Sequence, residues 1–240
     1  MLTKDDYKRF KALMKDPSEF PIKASRPVFT DKKMQAGSLR DYFIQDLYMA
    51  QKIFKANPRK HVDIGSRIDG FVANVASFRE IELLDIRDVK STIPNVVFKQ
   101  ADMMNEASIT ADYCDSISCL HALEHFGLGR YGDPVDPDGH LKGIKNITKM
   151  LVEGGKSYFS VPIGPQRVEF NGHRVFSMPY LLNILSDYDI LSFSYIDDYF
   201  HLHKDVDISS NELNSSYGCN FGIALFELQK KKYHKLSYNE

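Results

Sequence analysis

From Lys60 onward the chain alternates short apolar runs with helix-period stretches, and this alternation constrains its fold more than any other feature. The runs cover residues 61–64, 81–86, 95–99, 115–120 and 156–161, with helical patterns over 70–78 and 141–151 between them. Strands apolar along their whole length must be buried on both faces, which a parallel sheet covered by helices provides. The second helical pattern is expected to stop at Glu153-Gly154-Gly155. Two further β-rich stretches, 190–196 and 220–228, flank a polar segment holding His201, His203, Asp205 and Asp207.

The part upstream of Lys60 reads differently. Residues 1 to about 37 are polar and broken by Pro17, Pro21 and Pro27, a helix followed by an irregular arm. Ser38, with Asp41 three residues later, forms a capping pattern for a helix. Its apolar face is expected to be Phe43, Leu47, Ala50 and Phe54, with Ile44 and Tyr48 beside them and Asn57-Pro58 as its end.

Composition narrows the function class. A length of 240 residues with 43% hydrophobic residues suits one α/β domain with a sizeable core. A net charge of -1 sets up no field for nucleic acid, and the basic run Lys230 to Lys232 reads as a solvated strand end. Cys114, Cys119 and Cys219 form no even framework, which fits free thiols in a reducing compartment. The N-terminal residues lack an apolar signal core, and no run reaches the roughly 18 apolar residues of a membrane span. The expected location is cytoplasmic, with no nucleic-acid partner and no membrane span.

The stretch HVDIGSRIDGF carries the first chemistry. An apolar strand ends in Asp63, turns through Gly65 and Ser66, and enters a helix near Gly70, whose free N–H groups can face a ligand. A phosphate-binding P-loop would need Lys and Ser/Thr after Gly70, where Phe71 and Val72 stand. A dinucleotide site would need a second glycine where Arg67 stands. What remains is a ligand without phosphate, whose amino-acid tail pairs with Asp63. S-adenosylmethionine (SAM) fits that description. Asp85, 22 residues after Asp63 and followed by Ile86, ends the second strand and can accept from both ribose hydroxyls. Asp102 can accept from the adenine amino group, and Met103 can pack on the ring.

The order DIGS, ELLD, QAD, LHALEH, LVEGGKSYFSVP resembles the class I SAM-dependent methyltransferases over about residues 60–162. GLGRYGDPVDPDGH and FNGHRVF extend the likeness to about residues 38–200. There the chain resembles a subgroup catalogued as a domain of unknown function, some members of which occur with bacterial surface-polysaccharide genes. The resemblance implies a Rossmann-like, seven-stranded, mostly parallel sheet with helices on both faces. It implies SAM as cofactor, an N-terminal arm and lid helix over residues 1–57, and the SAM-binding domain over 58–240. Tyr42, Gln45 and Asp46 on the lid helix are then possible cofactor contacts, although Asp46, off the apolar face, is expected to be solvated. Arg67 and Asp69 depart from the superfamily's glycine-rich turn.

The string from His125 to Pro134 is glycine-rich, charged and too poor in apolar residues to be core. At the carboxyl edge of the sheet it reads as a substrate wall; the alternative is a structural loop in which Arg130 pairs with Asp133 or Asp136. His125 is the first candidate for a general base, with Asp133 and Asp136 next. Arg130, Tyr131, Asn171, His173 and Arg174 are candidate acceptor contacts, and His121 is placed with the cofactor set. The His201/His203 pair reads as solvated loop, and no metal is expected. The function expected is a SAM-dependent O-methyltransferase acting on a small polar acceptor. By the resemblance this is a sugar hydroxyl of a capsule or O-antigen precursor. Two alternatives are a non-catalytic SAM-binding module in a glycan-assembly complex and, against the evidence of Arg67, a nicotinamide-dependent oxidoreductase.

Overall fold

A computed structural model describes residues 2–23, 37, 39–90, 92–209 and 211–232 of the chain. It divides into two compact units, Met1–Leu39 and Arg40–Glu240. The first unit holds helix α1, Leu2–Leu13. The second holds helix α2, Asp41–Ala56, which therefore belongs with the sheet rather than with the arm.

Among the described residues the sheet has eight strands. They are β1 (His61–Ile64), β2 (Ile81–Asp85), β3 (Val96–Gln100), β4 (Cys114–Leu120), β5 (Leu151–Ile163), β8 (Tyr188–Ile196), β9 (Leu202–His203) and β10 (Gly222–Lys230). They lie in the order β3-β2-β1-β4-β5-β10-β8-β9. β1 to β5 run parallel, and β10 runs antiparallel between β5 and β8. The eighth strand, beyond the seven expected, is the two-residue edge piece β9 in the polar histidine segment. β6 (Arg167–Glu169) and β7 (His173–Val175) form a separate hairpin.

Helices α4 (Gly139–Met150) and α5 (Met178–Ile184) cover one face of the sheet, burying Ile144, Ile147, Met178 and Leu181 against Ile117, Phe159 and Val161. The other face carries α2, a wide helical turn over Ile68–Val72 and the short α3 (Ala73–Ala76), packed on Ile81, Leu83 and Tyr158. Each fully buried Met, Ile or Phe side chain stabilises this packing by roughly 1.5–3 kcal/mol.

Two local expectations are corrected. α2 buries Gln45, Asp46, Met49, Ala50 and Ile53, whereas Phe43, Leu47 and Phe54 are 50%, 41% and 63% exposed. The helix thus turns a mixed face inward, because Gln45 and Asp46 are satisfied by each other and by Ser160. The capping residue expected at Ser38 lies outside the described residues, and Arg40 at the cap position makes no side-chain cap bond. The second correction concerns Glu153-Gly154-Gly155. α4 ends earlier, at Met150, and Leu151 pairs at once with Cys114. The ladder resumes at Ser116 and Lys156, so the glycines form a bulge, with Gly154 at a φ of 75°.

Candidate functional site

The carboxyl ends of β1, β2 and β4 open onto one cavity of about 450 Å³, within the range of small-molecule sites. At the first of these ends, Gly65 has a φ of 65°, and a Cβ there would lie 3.2 Å from the Ala122 side chain. Only glycine adopts this turn without strain. Beneath it Asp63 is fully buried. Its carboxylate accepts from the Ser66 amide (3.0 Å) and hydroxyl (2.7 Å) and from the Ser118 hydroxyl (2.5 Å). Burial pushes Asp63 up to about 6, against the lowering of those bonds. Asp63 and Ser66 therefore brace the turn from below and are not cavity-lining residues.

Asp85 ends β2 and faces the cavity with Ile86. Its carboxylate is held by Arg87, through the backbone amide (2.8 Å), Nε (3.0 Å) and Nη2 (2.6 Å). Asp102 and Met103, just beyond β3, line the same space. Asp102 accepts from the Met104 amide at 2.8 Å, and the Met103 carbonyl accepts from Asn146 at 2.8 Å. Tyr42 and Asp41 at the start of α2 also line the cavity, but Gln45 and Asp46 do not. Asp46 is 4% exposed rather than solvated. A Cβ on Gly70 would lie 2.2 Å from its Oδ2, so the two positions pack together only because Gly70 has no side chain.

Just beyond β4 stands His121, at a φ of 51°, an uncommon conformation for a residue with a side chain. Its Nδ1 lies 2.8 Å from Glu124 Oε1, and its ring lies 4.9 Å from that of Tyr42. Glu124 is 1% exposed, and its second oxygen is buried with no hydrogen-bond partner. Burial pushes the Glu124 carboxyl up, but the charge and bond of His121 and the charge of His125 outweigh it, so Glu124 ionises below the usual range. His125 Nδ1 lies 2.7 Å from the Gly172 carbonyl. That carbonyl can only accept, so Nδ1 carries the proton and Nε2 keeps its lone pair. Glu124 Oε1 lies 3.7 Å from that Nε2. Burial, with Arg130 and His121, holds His125 below the usual histidine value, against Glu124 and Gly172. A neutral imidazole with a fixed tautomer and a carboxylate nearby has the attributes of a general base.

The loop after His125 is held from within. Asp133 accepts from the amides of Gly127 (2.8 Å), Gly129 (3.2 Å) and Tyr131 (3.1 Å). A Cβ on Gly127, whose φ is 77°, would lie 1.9 Å from the Asp136 carbonyl. Arg130 donates to the Gly172 carbonyl at 2.9 Å, so it pairs with neither Asp133 nor Asp136. His125, Arg130, Tyr131, Asp133 and His173 all line the cavity, and Phe221 stands beside His173 at 4.9 Å between ring centroids.

Besides Asp63 and Ser66, three expected site residues of the acceptor side are not brought to the cavity. Asp136 turns away to Lys142 and to the Asp138 amide. Arg174 is buried, donating to the carbonyls of Phe126 (2.6 Å) and Pro137 (3.1 Å), and so ties the loop to β7. Asn171 sits exposed in the β6–β7 turn at a φ of 61°. Conversely, Glu124 and Arg87 line the cavity and were not among the expected site residues. The signal for Arg87 is local: an aspartate at a strand end accepts from the amide two residues on, which turns the chain and sets Arg87 beside Asp85. Glu124 lies inside the LHALEH string, but its burial has no sequence signal. Among the described residues no cluster of His, Cys, Asp and Glu is arranged to hold a metal ion. His203 instead stacks on Tyr195 at 4.4 Å and pairs with Asp197 at 2.9 Å. No described helix is long and apolar enough to cross a membrane.

Comparison with known proteins supports the architecture. The 1,6-didemethyltoxoflavin-N1-methyltransferase of Burkholderia thailandensis, solved with 1,6-didemethyltoxoflavin and S-adenosylhomocysteine, superposes with a TM-score of 0.54 at 14% identity. That match covers 78% of this chain and 79% of the other. The N-methyltransferase NodS of Bradyrhizobium japonicum, solved with S-adenosylhomocysteine, gives 0.53 at 12% identity over 80% and 89%. The (4+2)-cyclase SpnF gives 0.55 at 14% identity over 82% and 86%. The fold is therefore the class I methyltransferase fold. No curated protein sequence matches the chain. The family described as "Caenorhabditis protein of unknown function, DUF268" matches residues 71–230, and the chain belongs to it.

Proposed function

For this member of the DUF268 family we propose a SAM-dependent methyltransferase that methylates a hydroxyl of a small polar molecule. The observation that carries the reading is Asp85 at the tip of β2, facing the same cavity as the Gly65 turn. The residues fit the cofactor. Gly65 leaves a cradle that a side chain would fill. Asp85 suits the ribose hydroxyls, and Asp102 with Met103 suits adenine. The cavity holds the carboxylates of Asp41, Asp85, Asp102, Glu124 and Asp133 against the guanidiniums of Arg67, Arg87 and Arg130, an excess that favours a cationic ligand.

When bound, SAM supplies a methyl group on an electrophilic sulfonium. The chain then has two tasks, alignment of the acceptor and removal of its proton. His125 Nε2 would take the proton of the acceptor hydroxyl as it is methylated. The imidazolium so formed is steadied by the Gly172 carbonyl and by Glu124, 3.7 Å away. Arg130, Tyr131 and His173 form the remaining wall.

The polar wall supports a sugar hydroxyl as the acceptor. The family description names no function, so it adds nothing to the bacterial surface-polysaccharide setting that the sequence resemblance implies. Calorimetry with SAM, S-adenosylhomocysteine and NAD tests the cofactor class. Methyl-transfer assays on nucleotide-linked and lipid-linked sugars test the acceptor. Binding of NAD in preference to S-adenosylhomocysteine would overturn the reading, and cofactor binding without transfer to any acceptor would favour a binding module.

A further inference from the structure

The carboxylate proposed to receive the ribose is occupied within the chain. Three donors of Arg87 converge on Asp85, two on Oδ1 and one on Oδ2 at 2.6 Å. A carboxylate offers about four lone-pair positions, so the Arg87 amide, the two donors of its fork and two ribose hydroxyls, five donors in all, exceed them. The Arg87 side chain is 52% exposed.

The surroundings indicate where it goes. The Arg87 guanidinium carbon lies 4.4 Å from the centre of the Tyr131 ring, and that of Arg130 lies 5.2 Å from the same centre. Tyr131 in turn meets His125 edge-on at 5.4 Å. Among the described residues, Arg130 donates to a carbonyl rather than to a carboxylate. Asp133, the carboxylate of that loop, is taken up by three backbone amides. With Arg87 off Asp85, two guanidiniums would share one ring, and neither would have a carboxylate partner.

We infer that Arg87 is an exchangeable clasp: it releases Asp85 when ribose binds there and, with Arg130 over the Tyr131 ring, forms a subsite for an anionic group on the acceptor. This rests on the cofactor reading above and adds a substrate class to it, an acceptor bearing a phosphate or carboxylate next to the hydroxyl that is methylated. Planar guanidiniums suit such groups because they donate in pairs. The arrangement also links the two ligands, since whatever frees Arg87 improves anion binding, and the reverse must hold by linkage.

Calorimetry on the full chain tests this, with S-adenosylhomocysteine and inorganic pyrophosphate as the two probes. In Arg87→Ala, S-adenosylhomocysteine should bind about three- to tenfold more tightly, because an exposed ion pair no longer competes for Asp85. In the wild type, pyrophosphate should bind more tightly when S-adenosylhomocysteine is present, by about threefold or more. That coupling should vanish in Arg87→Ala. In Arg130→Ala, pyrophosphate should weaken with and without the cofactor product. Arg87→Gln keeps a polar, hydrogen-bonding side chain without the charge and should behave as Arg87→Ala. Cofactor-product binding that is unchanged or weaker in both Arg87 variants overturns the clasp while leaving the cofactor site standing. Wild type that binds no S-adenosylhomocysteine overturns the cofactor reading, and the clasp with it.

Discussion

At one end of the cavity Gly65, Asp85 and Asp102 sit on or just beyond the last residues of three adjacent parallel strands. At the other end His125, Arg130 and Asp133 ride on a loop that runs from the tip of β4 to the start of α4. The first end is placed by ladder hydrogen bonds: Gly65 donates to Leu84 at 2.9 Å, and Ala101 donates to Asp85 at 3.0 Å. The second is placed by side chains reaching backbone groups far along the chain, as Arg174 does to Phe126 and Pro137 and as His125 does to Gly172. A ladder spreads a local loss over many bonds, whereas the loop depends on a few contacts that can each be removed. Variants should therefore separate the two ends cleanly, with the strand-tip end governing cofactor affinity and the loop end governing turnover.

The largest separation is expected from Gly65→Val. A β-branched residue resists a φ of 65°, and its Cβ would press on Ala122. Binding of S-adenosylhomocysteine should fall below detection in calorimetry while circular dichroism still shows a folded chain. Normal binding would remove this turn from the cofactor site. Next, His125→Ala should lower turnover by about 10²–10⁴-fold with cofactor affinity nearly unchanged. Full activity in that variant would reject His125 as the base. Asp85→Ala should do the reverse and weaken S-adenosylhomocysteine by about 10- to 150-fold, the loss of hydrogen bonds to two ribose hydroxyls. An unaltered affinity would take Asp85 out of the site.

Two smaller effects sharpen the contrast. Arg174→Met leaves buried carbonyls without their donor and should cost about 1–3 kcal/mol in denaturant unfolding. Its turnover should drop more than its cofactor affinity, and equal losses would show that the loop is not held independently of the strand tips. The smallest effect concerns pH. The proposed base, His125, could accept a proton only when neutral, and its folded value lies below the ordinary histidine value of about 6.5. Activity should hold as pH falls through about 6.5 and decline only below it. The stability linked to this histidine has the same sense: it is present above the unfolded value and is lost as pH falls through the lowered folded one. An acid limb in kcat centred above the ordinary histidine value would contradict the buried, neutral imidazole.

The two ends also differ in how far they can be read from the chain. The runs over residues 61–64 and 81–86 announce their strands, because continuous apolarity survives only in a doubly covered sheet, and the run over 95–99 becomes the half-exposed edge strand β3. The strand tips follow by counting, and Gly65, Asp85, Asp102 and Met103 follow from the tips. The loop end offered residue types without positions. Asp133, Asp136, Asn171, His173 and Arg174 all have suitable chemistry, yet Arg174 is spent on carbonyls, Asp136 on Lys142, and Asn171 stands at an exposed turn. α2 shows the same limit within a helix. Its aromatic spacing points to Phe43, Leu47 and Phe54 as the inner face, and the inner face is instead Gln45, Asp46, Met49, Ala50 and Ile53.

The sequence by itself therefore determined the α/β class, the parallel core and the carboxylates at the ends of β2 and β3. These depend on local pattern, apolar runs against turns, which neighbouring residues state in full. Tertiary structure alone decided which polar side chains face the cavity. It put Asp46 beneath Gly70, His125 against the Gly172 carbonyl, and Arg174 against the carbonyls of Phe126 and Pro137. Each of these depends on where a partner from another element lies, and a polar residue goes wherever its hydrogen bonds can be met. Spacing along the chain carries apolar burial, whereas the destination of a charge is set by groups tens of residues away.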